Sequence, residues 1–165
     1  MKEYTTYYQS EIGWLEIIGT HESIKVINFI EPEERDSNLA DVEIPQVLTD
    51  GVTQLDEYFK GKRQVFSLKL APEGTEFQQM VWHQLLEVPF GTTMSYLDIA
   101  RAIGNEKAVR AVGAANGQNP IVIVVPCHRI VGSNGKLTGY GGGLWRKEWL
   151  LNHEGHLVGQ QMKLF

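Results

Sequence analysis

Cysteine occurs once in these 165 residues, and its neighbours are chemically suggestive. Cys127 stands in Pro126-Cys127-His128-Arg129, at the end of the apolar run "IVIVV". An imidazole can take a thiol proton, and nearby cationic groups lower a thiol pKa from its free value of about 8.5. A lone cysteine behind an apolar run is also, by type alone, a small core hydrophobe. The Pro126 break, His128 and Arg129 shift the reading toward a nucleophile. In an extended segment adjacent side chains point to opposite faces, so Cys127 and His128 need a backbone bend or a bridging water to act together. An acid on the far nitrogen of His128 would raise its basicity, and Glu154 in "LLNHEGH" is the candidate.

The chain that must position these groups has the length of one domain, or of one domain with a small subdomain. With one cysteine it can form no internal disulfide, which fits a reducing compartment. The start "MKEYTTYYQSEIGW" lacks an apolar core of signal-peptide length, and no window approaches the roughly 18 apolar residues of a membrane span. A soluble, cytoplasmic protein is expected. The net charge of -5 argues against nucleic acid, but it is unevenly spread. Residues 1-91 carry 7 Lys and Arg against 16 Asp and Glu, whereas residues 92-165 carry 8 against 4. The positive half could face a polyanion, although acidic loops elsewhere produce the same count.

Three β-branched and aromatic runs, "YTTYYQS", "GWLEIIGT" and "SIKVINFI", predict three antiparallel strands. "EPEERDSNLADVEIP" reads as a solvated loop, "QVLTDGVTQLDEYFKG" as an amphipathic helix ending at Gly61, and "QVFSLKL" as a fourth strand. From Thr75 the period turns helical. A capping box from Thr75 to Gln78 opens "TEFQQMVWHQLLEV", which stops before Pro89. A second, Ser95 to Asp98, opens "YLDIARAI", which Gly104 closes. Asn105 is then placed to cap "EKAVRAVGAANG".

Two short helices around Gly104 and Asn105 fit either a packed corner or a helix-turn-helix. The second helix is mostly Ala and Gly, with Arg110 its one long basic side chain. Few of its groups could read base edges, but its backbone could approach a partner closely, as in a minor groove about 6 Å wide. That implies binding with little sequence preference. Packing of the alanines against another helix remains the competing explanation.

Together, "FGTTMSYLDIARAIGNEKAVRAVGAANG", "NPIVIVVPCHRIVG" and "LTGYGGGLWRKEWLLNHEG" resemble the DNA alkyltransferases that repair O6-methylguanine. The resemblance runs from about Phe77 to Gly155, and its Pro-Cys-His-Arg core is highly specific; Ile130 replaces the commoner Val. The N-terminal part is similar only in outline.

The resemblance implies an α+β fold. A small antiparallel sheet with a helix (ribonuclease H-like, residues 1-73) precedes a helical subdomain (residues 74-165) with a winged-helix-like helix-turn-helix. It implies repair by direct damage reversal. An alkyl group moves irreversibly from O6-alkylguanine to the protein, once per molecule, with O4-methylthymine a second candidate lesion. By resemblance Cys127 is the acceptor, His128 the base acting through a water, and Glu154 its orienting acid. Asn119 ties the active-site segment to the recognition helix. Tyr96 helps rotate the nucleotide out and protonates the leaving guanine.

Arg110 fills the gap in the base stack, with Ala111, Ala114 and Arg129 also assigned to DNA. Tyr140, Gly141, Gly142 and Lys147 line the base pocket. The partner is double-stranded DNA carrying alkylated bases, bound through the minor groove by a monomer. No cofactor motif is visible, and no cysteine remains to ligate zinc.

Two other classes compete. A lesion-binding protein of the alkyltransferase-like kind lacks the cysteine, and a cysteine hydrolase would not need a helix-turn-helix. "VGSNGKLTG" lacks the Ser or Thr that follows a phosphate-loop lysine, and a hairpin turn at "SNGK" is expected instead. His21, His83, His153 and His156 read as surface or packing residues. Trp82, Trp145 and Trp149 fall at helical spacing with other apolar residues, which predicts core positions.

Overall fold

The computed structural model describes residues 1–39 and 42–155, and His156 lies outside them. The chain divides into two compact units. One comprises Met1–Glu73 with Pro120–Val122, and the other Gly74–Asn119 with the residues from Ile123 onward.

In the first unit, strands β1 (Tyr4–Ser10), β2 (Gly13–Gly19) and β3 (Ile24–Ile30) form an antiparallel sheet in that order. Alternation is clearest in β2, where Leu15 and Ile17 are fully buried. Helix α1 (Gln46–Phe59) covers the sheet with Leu48, Leu55, Tyr58 and Phe59. Its Gly51 is a point of close approach: a Cβ there would lie 3.0 Å from Ile24 Cδ1. A bare backbone lets helix and sheet meet despite the roughly 1 kcal/mol that glycine costs a helix.

The expected fourth strand, residues 64–70, is absent. Gln54 of α1 instead captures Ser67, accepting from its backbone N–H at 2.9 Å and donating to its hydroxyl at 3.0 Å. A side chain thus takes the place of a ladder. Only Leu70 bridges β3, through Ile24 N–H to the Lys69 carbonyl and Ala71 N–H to the Ile24 carbonyl. Farther along β3, Ile27 exchanges backbone bonds of 2.9 Å with Pro120 and Val122, and Ile121 is fully buried.

The second unit is mainly helical. Helix α2 (Glu76–Leu85) and helix α3 (Tyr96–Ala102) both begin with reciprocal capping boxes. Gln78 N–H donates to Thr75 Oγ1 at 3.1 Å, and Asp98 N–H to Ser95 Oγ at 3.0 Å. Helix α4 (Val109–Gly117) packs on both, burying Val112 and Ala115. The Trp82 indole N–H on α2 donates to the Ala115 carbonyl at 2.8 Å. The link from α3 turns at Gly104 (φ +80°), and a 3-10 turn over Glu106–Ala108 then precedes α4. The Asn105 side chain caps neither, contrary to expectation, because the 3-10 turn moves the helix start to Val109.

Strands β4 (Met94–Ser95) and β5 (Ile130–Val131) pair in parallel, and helix α5 (Leu144–His153) closes the unit. Between them, Gly132 N–H donates to the Lys136 carbonyl at 2.9 Å across a turn with Gly135 at φ +79°. Trp82 is buried and Trp149 stacks on His153 at 4.8 Å. Trp145, expected in the core, is 57 % exposed. It lies in the first turn of α5, where Arg146 covers its ring from 4.7 Å.

Candidate active site

The run before the nucleophile is not a strand. After Ile121 the chain turns, with Ile123 at φ +72°, a left-handed conformation that costs a β-branched residue about 1–3 kcal/mol. Cys127–Arg129 then form a buried 3-10 turn, in which Arg129 N–H donates to the Pro126 carbonyl at 3.0 Å. Successive side chains of a 3-10 turn point about 120° apart rather than in opposite directions. This is the backbone bend that adjacency of Cys127 and His128 demanded.

His128 is fully buried, and its Nε2 lies 2.7 Å from Glu154 Oε2. Glu154 occupies the C-terminal cap of α5. The opposite ring nitrogen, Nδ1, is buried without a protein partner. Arg129 Nε donates to Glu154 Oε1 at 2.7 Å, and its two terminal nitrogens donate to Glu154 Oε2 at 3.0 Å and the Val88 carbonyl at 2.7 Å. Its guanidinium is 5.7 Å from the Phe90 ring. The expected DNA contact by Arg129 is therefore corrected: the side chain is buried, and its charge is taken up by Glu154.

Burial pulls His128 below its ordinary value, with Glu154 opposing, so the ring rests neutral. Burial would raise Glu154, but His128 and Arg129 outweigh it and keep the carboxylate ionised. The thiol also departs from the sequence expectation. Burial pushes Cys127 up, opposed by a hydrogen bond with the Asn119 side chain and by the charge of Lys147. The neighbours in sequence do not produce a resting thiolate, because Arg129 is committed to Glu154. A protonated, buried thiol is protected from casual oxidation until a base acts on it.

Two asparagines brace the turn. Asn119 Nδ2 donates to the Val125 carbonyl at 2.8 Å, and Asn116 Nδ2 reaches the Cys127 carbonyl at 3.4 Å. Asn116 was missed in the sequence, where it is one small polar residue in an Ala-Gly helix. Its position follows from the helical period, since residues 112, 115 and 116 share the buried face of α4. Arg110, Ala111 and Ala114 lie on the exposed face. A Cβ on Gly113 would be 3.9 Å from the Tyr96 ring, so the tyrosine at the start of α3 lies along α4.

Tyr96 Oη accepts from Thr138 Oγ1 at 3.0 Å and lies 3.4 Å from the Thr138 carbonyl. That carbonyl also accepts from Lys147 Nζ at 2.7 Å, as the Ile130 carbonyl does at 2.5 Å. The 138–143 loop is thus fastened to α3 and α5. Tyr140, on this loop, has a buried hydroxyl without a protein partner, its pKa raised by burial and then by Cys127. Gly141 is exposed and Gly142 half-buried, and the Gly142 carbonyl accepts from Arg146 at 3.0 Å. Among the described residues no group of three His, Cys, Asp or Glu could hold a metal ion. No helix there is long and apolar enough to cross a membrane.

Comparison with known proteins meets this geometry from the other side. Residues 76–156 match the DNA binding domain of 6-O-methylguanine DNA methyltransferase, and residues 4–72 its ribonuclease-like domain. A methylated-DNA–protein-cysteine methyltransferase of Methanosarcina acetivorans is 48% identical over 159 residues, covering 92% of this chain and 98% of the relative. The crystal structure of the Mycobacterium tuberculosis O6-methylguanine methyltransferase is 43% identical, covers 93% of each chain and has a TM-score of 0.81. That of Mycobacterium tuberculosis OGT in complex with DNA is 44% identical, covers 92% of this chain and 91% of the other, and has a TM-score of 0.79. Two domain matches spanning nearly the whole sequence, with relatives matched over nearly their whole length, mean that the chain belongs to the 6-O-methylguanine DNA methyltransferase family.

Proposed function

We propose that this chain repairs O6-alkylguanine in double-stranded DNA by transferring the alkyl group to Cys127, once per molecule. The observation that carries this reading is His128, with one nitrogen on ionised Glu154 and the other unpartnered beside the Cys127 turn. Such an imidazole is a general base awaiting a proton. A water bridging Nδ1 and the thiol carries the Cys127 proton to His128, and Glu154 stabilises the resulting cation.

The thiolate then attacks the alkyl carbon. An S–C bond forms as the C–O6 bond breaks, and the electron pair leaves on the guanine, which takes a proton from the Tyr96 hydroxyl. The thioether has no good leaving group, so the protein is spent. Tyr140, Gly141 and Gly142 form the wall against the extruded base, and Lys147 anchors that wall through the Thr138 carbonyl. O4-methylthymine is a second lesion that the same chemistry would serve.

Residues 74–165 act as the DNA-binding and transfer part, and residues 1–73 as scaffold. The exposed face of α4 enters the minor groove, where Ala111 and Ala114 permit close approach and Arg110 fills the space of the extruded base. The protein acts as a monomer in the cytoplasm, where a single cysteine stays reduced. Incubation with an O6-methylguanine duplex should add about 14 Da, one methylene, to Cys127 alone and stop at one equivalent. A chain that keeps its fold and DNA binding but gains no mass would contradict the proposal.

Arg110→Ala separates extrusion from chemistry. Holding a base out of the stack costs a few kcal/mol. The variant should therefore slow repair of duplex DNA by about 10-fold or more, while reaction with free O6-benzylguanine changes less than about 2-fold. Single-turnover rates on both substrates check this, and equal slowing would argue against a role in the stack.

A further inference from the structure

Of the three buried residues of α4, Val112, Ala115 and Asn116, only the last is polar. Asn116 is 3 % exposed. Its Nδ2 donates to the Cys127 carbonyl at 3.4 Å, a long hydrogen bond, and its Oδ1 is buried with no protein partner. Burying such an acceptor costs more than one long bond returns. Nor does the Cys127 carbonyl depend on Asn116 for a partner, since the Ile130 N–H donates to it across the 3-10 turn. For the fold alone, leucine, with the same branched shape and the same number of side-chain heavy atoms, would serve at least as well.

What the amide accomplishes is geometric. The peptide unit is planar, so a second donor on the Cys127 carbonyl fixes ψ of that residue, and with it the bond to Cβ that carries the sulfur. Asn119 acts one step earlier, on the Val125 carbonyl that also accepts the Cys127 N–H at 2.8 Å. The nucleophile is thus held on both sides of its Cα.

We propose that Asn116 is a positioning residue for alkyl transfer: by holding the Cys127 carbonyl it aims the sulfur at the base pocket, at a cost to the stability of the fold. The inference rests on Cys127 being the alkyl acceptor. It puts the aiming group on the helix whose opposite face exposes Arg110, Ala111 and Ala114, so one element meets DNA and sets the direction of attack. Displacement at carbon needs sulfur, carbon and leaving oxygen in line, and a substrate held in a pocket cannot turn to follow a misdirected sulfur. A small reagent free in solution can.

Two alkylating reagents therefore separate aim from reactivity. Free O6-benzylguanine reacts from the pocket, whereas iodomethane is free to reorient. Because cysteine occurs once, peptide mass follows both reactions at Cys127. In Asn116→Leu, transfer from O6-benzylguanine should fall about tenfold or more, while the iodomethane rate stays within about 2-fold of that of the unsubstituted chain. The unfolding midpoint should hold or rise by about 2–4 °C. Equal slowing with both reagents, or a lower midpoint, would make Asn116 a packing residue only, and unchanged transfer would remove it from the reaction.

Asn116→Asp keeps the shape and adds a readout that packing does not move. A buried carboxyl donates to the Cys127 carbonyl when protonated and repels it when ionised. Relative to the unsubstituted chain, the ratio of benzylguanine rate to iodomethane rate should fall about tenfold as pH rises from about 5 to about 9. Taking the ratio removes the ionisation of the thiol, which both reactions share. A ratio that stays level overturns the proposal. A failure of the repair reading would appear separately, in an unsubstituted chain that reacts with iodomethane and takes no benzyl group from the free base.

Discussion

Cys127→Ser should transfer no alkyl group at any pH in the folded range, while binding duplex DNA with affinity within about 2-fold of the unsubstituted chain. The hydroxyl is too weakly acidic for neutral His128 to ionise, and oxygen lacks the polarisability that sulfur brings to attack on an alkyl carbon. Binding should survive because the exposed face of α4, with Arg110, Ala111 and Ala114, is untouched. Structure should survive as well. The Asn119 side chain that bonds the thiol can bond a hydroxyl, which limits the cost of this 4 % exposed site to about 1 kcal/mol. Intact mass after incubation with damaged duplex, together with a DNA titration, tests both halves. Residual transfer to another residue would remove Cys127 from the centre of the mechanism, and lost binding in a folded chain would place the DNA contact elsewhere.

Glu154→Gln should be the most damaging conservative change in the second unit. It keeps the shape but removes the only negative charge facing Arg129 and His128 among the described contacts. Breaking a buried pair by removing one partner costs about 3–5 kcal/mol, since the remaining charge stays buried. For a chain of this size the unfolding midpoint should fall by roughly 10 °C or more. Transfer from free O6-benzylguanine, measured well below that midpoint, should fall about 100-fold or more because His128 loses the anion that stabilises its cation. An unchanged midpoint would show that the ion pair contributes nothing to the fold.

The same groups set the response to acid. His128 lies below 6.5 in the folded chain, chiefly through burial, so the unfolded imidazole binds a proton that the folded one refuses. Stability therefore falls as pH drops below about 6.5. Glu154 is held below 4.5 because His128 and Arg129 outweigh burial, so its contribution is present above about 4.5 and lost at lower pH. Both slopes have the same sign. Thermal unfolding should show a midpoint declining in two stages toward acid, the lower stage missing in Glu154→Gln.

Features encoded within a few residues were legible in the sequence. The Thr75 and Ser95 capping boxes depend only on a residue and its third successor, and both form. The three strands followed from alternation, and the pairing of His128 with Glu154, although distant in the chain, was expected from their chemistry and a specific resemblance. Features decided by distant partners were not legible. Residues 64–70 have strand composition, but the Gln54 side chain competes for Ser67. "IVIVV" has the composition of a buried strand, yet Ile123 takes a left-handed conformation and the chain turns. Arg129 lies beside Cys127 in the chain but points to Glu154, twenty-five positions away.

The pairing of Ile27 with Ile121 governs how this protein is made as well as how it stands. The two residues are separated by more than half the chain, so their contact closes a large loop and its entropy must be lost before the bonds form. During synthesis the sheet that receives Ile121 emerges long before Ile121 itself. The turn holding Cys127 follows this segment in the chain, so it is synthesised after the sheet and after Ile121. Every new copy of the chain must close this loop before the sheet gains its bonds to Pro120 and Val122.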